Sequence, residues 1–366
     1  GHLDEKACLA WVTAFADGGR PGQYVPRAVT TDTGVLVEPK VGDATRNNCI
    51  LPESLVYNKE TNPTGIRCGT ADNAVAIFGK VKDGSRARST TDNTGIQYGL
   101  NALKEGAITP EEFVITNERA GGVDGDSNFA DARTEGDADA VKIAYRAGIV
   151  SDGKHLAKLP ILDTRGYNED GIHQAWRSLS LRARLDDANG NHKNLVLWRH
   201  QLALALPQNF SIPVESLALM DEWISGIKDD ASGDSLEDVV AASKPKEAFD
   251  YCYLTADTML TTKVKDVEMC DADARLKIHA SPRQVAGGPV AENILKCQLK
   301  PIDAKDYEPA VLTDDQINRL KEVFPDGVCD FSMPGVGQQD SESPLNFAAG
   351  PGGKPFGTPP STKNGG

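Results

Sequence analysis

The chain has 366 residues, which is enough for one large domain or two smaller ones. Its 53 acidic and 39 basic residues give a formal net charge of −14, so nucleic acids and anionic membranes are not expected as main partners. The sequence contains no run of about 18 apolar residues, so it predicts no membrane-spanning helix.

The first half of the chain is predicted to be irregular and then helical. Residues 1–70 lack a regular periodicity, and we expect them to form an irregular segment that packs on the core. Helices are predicted over 94–105, from Thr109 onward, and over 137–148. Thr109 is a suitable N-cap because Pro110 follows it at the first helical position.

The most regular part of the chain is 151–230, where predicted strands and helices alternate. Short buried strands are predicted at 159–163 and 194–198, and amphipathic helices at 176–188 and 216–227. This order is typical of a βαβα unit, in which helices cover parallel strands. The sequence therefore predicts an α/β protein with a parallel sheet.

The last part of the chain differs in composition. Residues 231–335 begin with a polar linker, contain four of the cysteines and carry a predicted helix at 313–323. We expect this region to be a disulfide-bearing C-terminal extension. Residues 336–366 are rich in glycine and proline and are predicted to be a flexible tail.

Seven cysteines are scattered along the chain, and no two form the CxxC pair typical of zinc sites and thioredoxin-like motifs. This distribution predicts disulfide bonds made outside the cytoplasm, so we expect a secreted or periplasmic protein. Buried free thiols are the alternative. Because the number is odd, one cysteine is expected to be free or to pair outside this chain. The seven are Cys8, Cys49, Cys68, Cys252, Cys270, Cys297 and Cys329.

Two predicted strands each lead to residues suited to proton transfer. Asp170 follows the first strand, with Glu169 and Asp163 as alternative carboxylates, and His200 follows the second. In an α/β hydrolase, a histidine takes the proton of the nucleophile and an acid fixes the tautomer of that histidine. The order predicts Asp170 as the acid and His200 as the base, with His173 as the rival base. The alternative is that both histidines are polar loop residues.

No nucleophile accompanies these residues. A GxSxG elbow is absent from the 366 residues. Residues 233–236 spell the GDSL string of some esterases, but that motif belongs after a buried strand near the start of a domain, and here it lies in the polar linker. We interpret it as a chance occurrence, so the serine of a triad would have to lie upstream of Gly1.

An acidic stretch offers oxygen ligands with the spacing of a calcium loop. Asp124, Asp126 and Asn128 occupy alternate positions, and Glu135 is the twelfth residue of the stretch. Phe129 stands where an EF-hand requires glycine, so the loop is not an ordinary EF-hand. A solvated acidic loop is one interpretation, and a structural calcium ion is the other. No other cofactor is predicted.

Several longer stretches resemble an uncharacterised family of secreted bacterial proteins, known as a domain of unknown function. Together the stretches span most of residues 5–340, and they are long enough to indicate the family better than any single motif. They are NPTGIRC at 62–68, DNTGIQYGL at 92–100, NERAGG at 117–122, IH at 172–173 with RARL at 182–185, KCQLKP at 296–301 and FPDGVCD at 324–330.

The resemblance implies an α/β hydrolase distantly similar to tannase, feruloyl esterase and 3-hydroxybutyrate oligomer hydrolase. Family members are longer, so the chain is expected to be a C-terminal portion, with the serine on the N-terminal portion or on a companion chain. The region 71–150 would form a lid inserted before the acid strand. The implied activity is that of a serine carboxylic-ester hydrolase acting on aryl esters or on short polyester or hydroxyacid oligomers. A non-catalytic extracellular binding or structural domain with the same fold is the alternative.

The resemblance also bears on the choice of histidine. In tannase-like enzymes an acid loop, a strand, a histidine and a Trp-bearing helix follow one another, and Asp170, His200 and 216–227 match that order. These enzymes also have a cysteine directly after the histidine, whereas Gln201 follows His200 here. This departure favours His173, which lies within one of the family strings.

Overall fold

The computed structural model describes residues 29–30, 36–37, 52–67, 70–125, 129–166, 174–201 and 211–342, which form a mixed α/β structure. Short antiparallel pairs occur in the first half of the chain. They are β1 (Val29–Thr30) with β2 (Leu36–Val37), and β3 (Gly122–Val123) with β4 (Phe129–Ala130).

Short helices are the main regular elements among the described residues of the first half. Thr109 caps the fourth of them as predicted, because its hydroxyl accepts a hydrogen bond from the backbone N–H of Glu112 at 3.2 Å. The third helix is shorter than the predicted 94–105, because Gly95 and Gly99 have positive φ and turn the chain before the helix begins. The helices are α1 (Thr70–Asn73), α2 (Val75–Phe78), α3 (Leu100–Lys104), α4 (Pro110–Arg119) and α5 (Ala138–Arg146).

A parallel sheet follows, and it confirms the predicted α/β core. The strands β5 (Ile161–Gly166), β6 (Leu195–His200) and β7 (Tyr251–Cys252) are parallel neighbours in that order. Helix α6 (Trp176–Asn189) connects β5 to β6, and α7 (Ser211–Asp229) and α8 (Leu236–Ala242) lie between β6 and β7. All six residues of β6 are buried, as expected for a middle strand covered on both faces.

The core on one face of this sheet is built around two tryptophans. Trp198 of β6 and Trp223 of α7 are almost fully buried and belong to one apolar cluster with Val196 and Val240. Each indole N–H donates to a backbone carbonyl, that of Trp223 to Val240 at 2.8 Å and that of Trp198 to Phe249 at 3.1 Å. Both rings can therefore be buried without leaving a polar group unpaired.

A second apolar core joins distant parts of the chain. The C-terminal elements are α9 (Val267–Ala272), α10 (Pro282–Val285), β8 (Gln298–Lys300), α11 (Asp314–Val323) and β9 (Val328–Asp330), with β8 and β9 antiparallel. Leu103 and Phe113 from α3 and α4 share one cluster with Leu320 and Phe324 from the end of the chain. The regions that the sequence suggested as a lid and an extension therefore pack together. Their boundaries stay a prediction.

Disulfide bonds are present, as the cysteine pattern predicted. Cys252 pairs with Cys270, and Cys297 pairs with Cys329. The other three cysteines lie outside the described residues. Within the part of the chain that the structure describes, no helix is long and apolar enough to cross a membrane.

Candidate active site

His200 lies at the edge of the sheet where active sites of parallel α/β proteins are found. It is the last residue of β6, and it pairs with Gly166, the last residue of β5. The carboxyl ends of β5 and β6 therefore lie side by side at the same edge of the sheet. The sequence predicted this position for His200. The residue is buried, with only 7% of its surface exposed.

The surroundings of His200 favour a neutral imidazole with one defined tautomer. Its Nδ1 lies 2.9 Å from the backbone carbonyl oxygen of Gln201. Since a carbonyl oxygen only accepts, Nδ1 carries the proton and Nε2 has the free lone pair. Burial lowers the pKa of His200 below its ordinary value, and the Gln201 carbonyl acts in the opposite direction. A neutral ring with a free lone pair is what a general base requires.

The structure does not bring a carboxylate to this ring within the residues it describes. Asp170, Glu169 and the rival base His173 all lie outside those residues, so their pairing with His200 stays a prediction. Asp163 is described, and it lies on the other face of the sheet. It pairs with Leu197 in register, whereas His200 lies three residues further along β6 and therefore on the opposite face.

The back of β6 is tied to the disulfide-bonded segment, which no sequence motif indicated. Arg199 points to the face opposite His200, where its Nη1 donates to Asp271 Oδ1 at 2.5 Å and to the carbonyl of Leu276 at 2.9 Å. Asp271 follows Cys270, whose disulfide partner Cys252 lies in β7 beside Arg199. These contacts hold the end of β6 in place.

The GDSL string has a structural explanation. Ser235 is the N-cap of α8: its hydroxyl accepts from the backbone N–H of Asp238 at 3.3 Å and donates to the carboxylate of the same residue at 2.7 Å. Ser235 is exposed and begins a helix, so it does not follow a buried strand as a nucleophile of that type does. The interpretation as a chance occurrence agrees with this position.

The predicted calcium loop overlaps the antiparallel pair β3 and β4, and only part of it is described. Asp124 directly follows β3, and Asp126 and Asn128 lie outside the described residues. Glu135 lies beyond β4 and is largely exposed, with its carboxylate 3.3 Å from the ammonium group of Lys296. No group of three or more His, Cys, Asp or Glu side chains suited to a metal ion is found among the described residues. The calcium ion stays a prediction.

The fold and the site together define a class of protein. It is a disulfide-bonded α/β protein with a parallel sheet and a buried histidine at the carboxyl edge of that sheet. The chain belongs to the Tannase-like family of unknown function (DUF6351), whose sequence model matches residues 1–340. Comparisons with curated proteins and with solved structures gave no match.

Proposed function

We propose that this chain contributes the base and the acid of a serine carboxylic-ester hydrolase. The observation that carries the proposal is His200, a buried histidine at the carboxyl edge of the parallel sheet, whose Nδ1 bonds the Gln201 carbonyl and so leaves Nε2 as the basic nitrogen. Membership of a tannase-like family supports an esterase-type activity. Aryl esters and short hydroxyacid oligomers are the substrates we propose by analogy with tannase-like enzymes.

In the proposed reaction, His200 acts first as a base and then as an acid. Its Nε2 takes the proton of a serine hydroxyl while the serine oxygen attacks the ester carbonyl, and the imidazolium then returns that proton to the departing alcohol. A water molecule releases the acid from the acyl-enzyme by the same two transfers. Asp170 is the proposed acid, and its negative charge would stabilise the imidazolium, whose Nδ1 already donates to the Gln201 carbonyl. The serine is proposed to come from a segment that these residues do not contain.

The two disulfide bonds support a place outside the cytoplasm. Such bonds persist in oxidising compartments, and Cys252–Cys270 and Cys297–Cys329 both connect structured segments of the chain. We therefore propose that the protein is secreted or periplasmic. A substrate outside the cell, or in the periplasm, would suit an enzyme that acts on esters.

The test is hydrolysis of p-nitrophenyl acetate by the full-length protein and by three variants. We expect His200→Ala to lower kcat/KM by about 100-fold or more, because the base that activates the serine is removed. His173→Ala tests the rival base. His192→Ala is the matched control, because His192 is exposed and its ring bonds Asp186 at 2.8 Å, away from the sheet edge.

Each outcome of this test has one meaning. A loss with His200→Ala alone supports the assignment of the base, and a loss with His173→Ala alone transfers the role to His173. Equal rates in the parent and both variants would exclude both histidines. Absence of turnover in the parent would favour a non-catalytic extracellular binding domain.

A further inference from the structure

Tyr253 directly follows β7 and lies beside His200, the last residue of β6. Its backbone N–H donates to the carbonyl oxygen of Arg199 at 2.9 Å. In a parallel ladder, the residue that bonds to this oxygen lies opposite the next residue of the neighbouring strand, which is His200. The register agrees, because Arg199 pairs with Cys252 one position earlier. Gly166, His200 and Tyr253 therefore form one row across the three strands.

The two neighbours of His200 in this row differ sharply in size. Gly166 has no side chain, so the space beside the imidazole on the β5 side is not filled from the sheet. Tyr253 is only 4% exposed, and its ring belongs to the same apolar cluster as Trp198, on the face of the sheet that carries His200. Neighbouring strands lie only about 4.8 Å apart, so the register places this side chain next to the imidazole on the β7 side.

The Tyr253 ring is itself held firmly. It packs edge-to-face against Tyr251, with ring centroids 5.2 Å apart. Tyr251 in turn stacks on Trp198 at 4.8 Å, and the ammonium group of Lys263 lies 4.9 Å from its centroid. Lys263 also forms an ion pair with Glu215 of α7. These contacts leave the Tyr253 ring little freedom to move away from the row.

We propose that Tyr253 is the positioning residue of His200: its ring closes the β7 side of the imidazole, whereas Gly166 places no side chain on the β5 side, from which the ester would approach. This proposal rests on the proposed function. In this proposal the ring excludes water from one side of the imidazole and limits its rotation, so that Nε2 is directed towards the β5 side. Tyr253 acts through His200 and makes no contact with the reacting atoms.

The charged groups near Gly166, His200 and Tyr253 bind to other partners, so they do not take over the effect of the Tyr253 ring on His200. Glu215 and Lys263 pair with each other, and Asp257 accepts hydrogen bonds from the backbone N–H groups of Thr261 and Thr262. Burial raises the pKa of the Tyr253 hydroxyl, so this group stays neutral over the range in which histidine titrates. The pKa of His200 is lowered by burial, and the Gln201 carbonyl is the group that opposes this shift. Burial by its neighbours therefore controls the basicity of His200.

The test measures the pKa of His200 by NMR titration of protein that is isotopically labelled in its histidine rings. The signal that is missing from the spectrum of His200→Ala is assigned to His200. We expect Tyr253→Ala to raise this pKa by about half a unit or more, because water reaches the β7 side of the ring. Tyr253→Phe keeps the ring and is expected to keep the pKa. Tyr251→Phe is the matched control, because it keeps the ring that packs against Tyr253 and removes only a hydroxyl. Tyr253→Leu replaces Tyr253→Ala if the latter does not fold.

The outcomes separate this inference from the proposed function. A folded Tyr253→Ala or Tyr253→Leu variant with the parental pKa would overturn the inference, and so would a Tyr253→Phe variant with the same shift as Tyr253→Ala. If the parent hydrolyses esters, the acidic limb of kcat/KM should move to higher pH with the pKa. A shifted pKa in a protein without esterase activity would refute the proposed function and keep the role of Tyr253 as neighbour of the imidazole.

Discussion

The burial of His200 has a consequence for stability as well as for chemistry. The pKa of this imidazole is lower in the folded protein than its ordinary value of 6.5, chiefly because of burial. Below that value the unfolded chain binds a proton that the folded protein does not bind. The contribution to stability is therefore complete above about pH 6.5 and is lost as the pH falls.

We predict that the free energy of unfolding decreases between about pH 7.5 and pH 5.5, and that His200→Gln reduces this decrease. Denaturant unfolding at several pH values measures it, and the interval avoids the titration of most carboxylates. The control is His192→Gln, which changes an exposed ring. A slope that is the same in the parent and in His200→Gln would show that His200 does not titrate differently in the two states.

The position of His200 at the end of a strand can be predicted from the sequence, but the residues that lie next to it in the sheet cannot. A histidine after a run of buried β-branched and apolar residues is visible in one segment of sequence. The face of the sheet on which Asp163 lies relative to His200 depends on the register of β5 against β6. A shift of one residue would place both side chains on the same face. Tyr253 follows a strand of two residues that pairs with a segment about 50 positions earlier, and no local pattern marks such pairing.

Among the elements, α4 has the clearest sequence signal and the clearest cap. The Thr109 hydroxyl and the Glu112 carboxylate satisfy each other's backbone N–H groups, and Phe113 and Val114 are fully buried in the second core. The cap therefore fixes the start of the helix that supplies Phe113 and Val114 to this core.

We predict that Thr109→Ala lowers the free energy of unfolding by about 1 kcal/mol, because the N–H of Glu112 loses its acceptor. Thr109→Ser keeps the hydroxyl and serves as the control, with an expected loss of well under half that value. Denaturant unfolding compares the two. Equal stability of Thr109→Ala and the parent would contradict the role of the cap.

Elements with local signals could be predicted, and those set by distant contacts could not. The strand pair β5 and β6, helix α6 and helix α11 follow from apolar spacing and end signals such as Gly190 and Thr313. Helix α7 begins at Ser211, five residues before the predicted start, because Pro213 is tolerated in the first turn of a helix. Sheet β8–β9 depends on residues about 30 positions apart, and its strands are too short to show a periodicity.

For the whole molecule, the Cys297–Cys329 bond closes a loop that contains all the residues that the C-terminal part of the chain contributes to the second core. A disulfide stabilises chiefly by limiting the unfolded chain, and a separation of 32 residues corresponds to about 3–4 kcal/mol in the chain-entropy model. We predict a loss of this order in the Cys297→Ser, Cys329→Ser double variant. Denaturant unfolding without reductant measures it. The single variant Cys297→Ser should lose a similar amount, and stability equal to that of the parent would contradict the prediction.

The shared core of α3, α4 and α11 also determines when this protein can fold during its synthesis. Leu100 and Phe113 leave the ribosome long before Leu320, Phe324 and Val328 are synthesised. The apolar surfaces of these two groups can pack together only after the second group has been made. For most of translation, the early helices therefore lack their packing partners and are open to aggregation or to binding by chaperones. A nascent chain that stops before Val328 should consequently be degraded or retained rather than accumulate as a smaller folded protein.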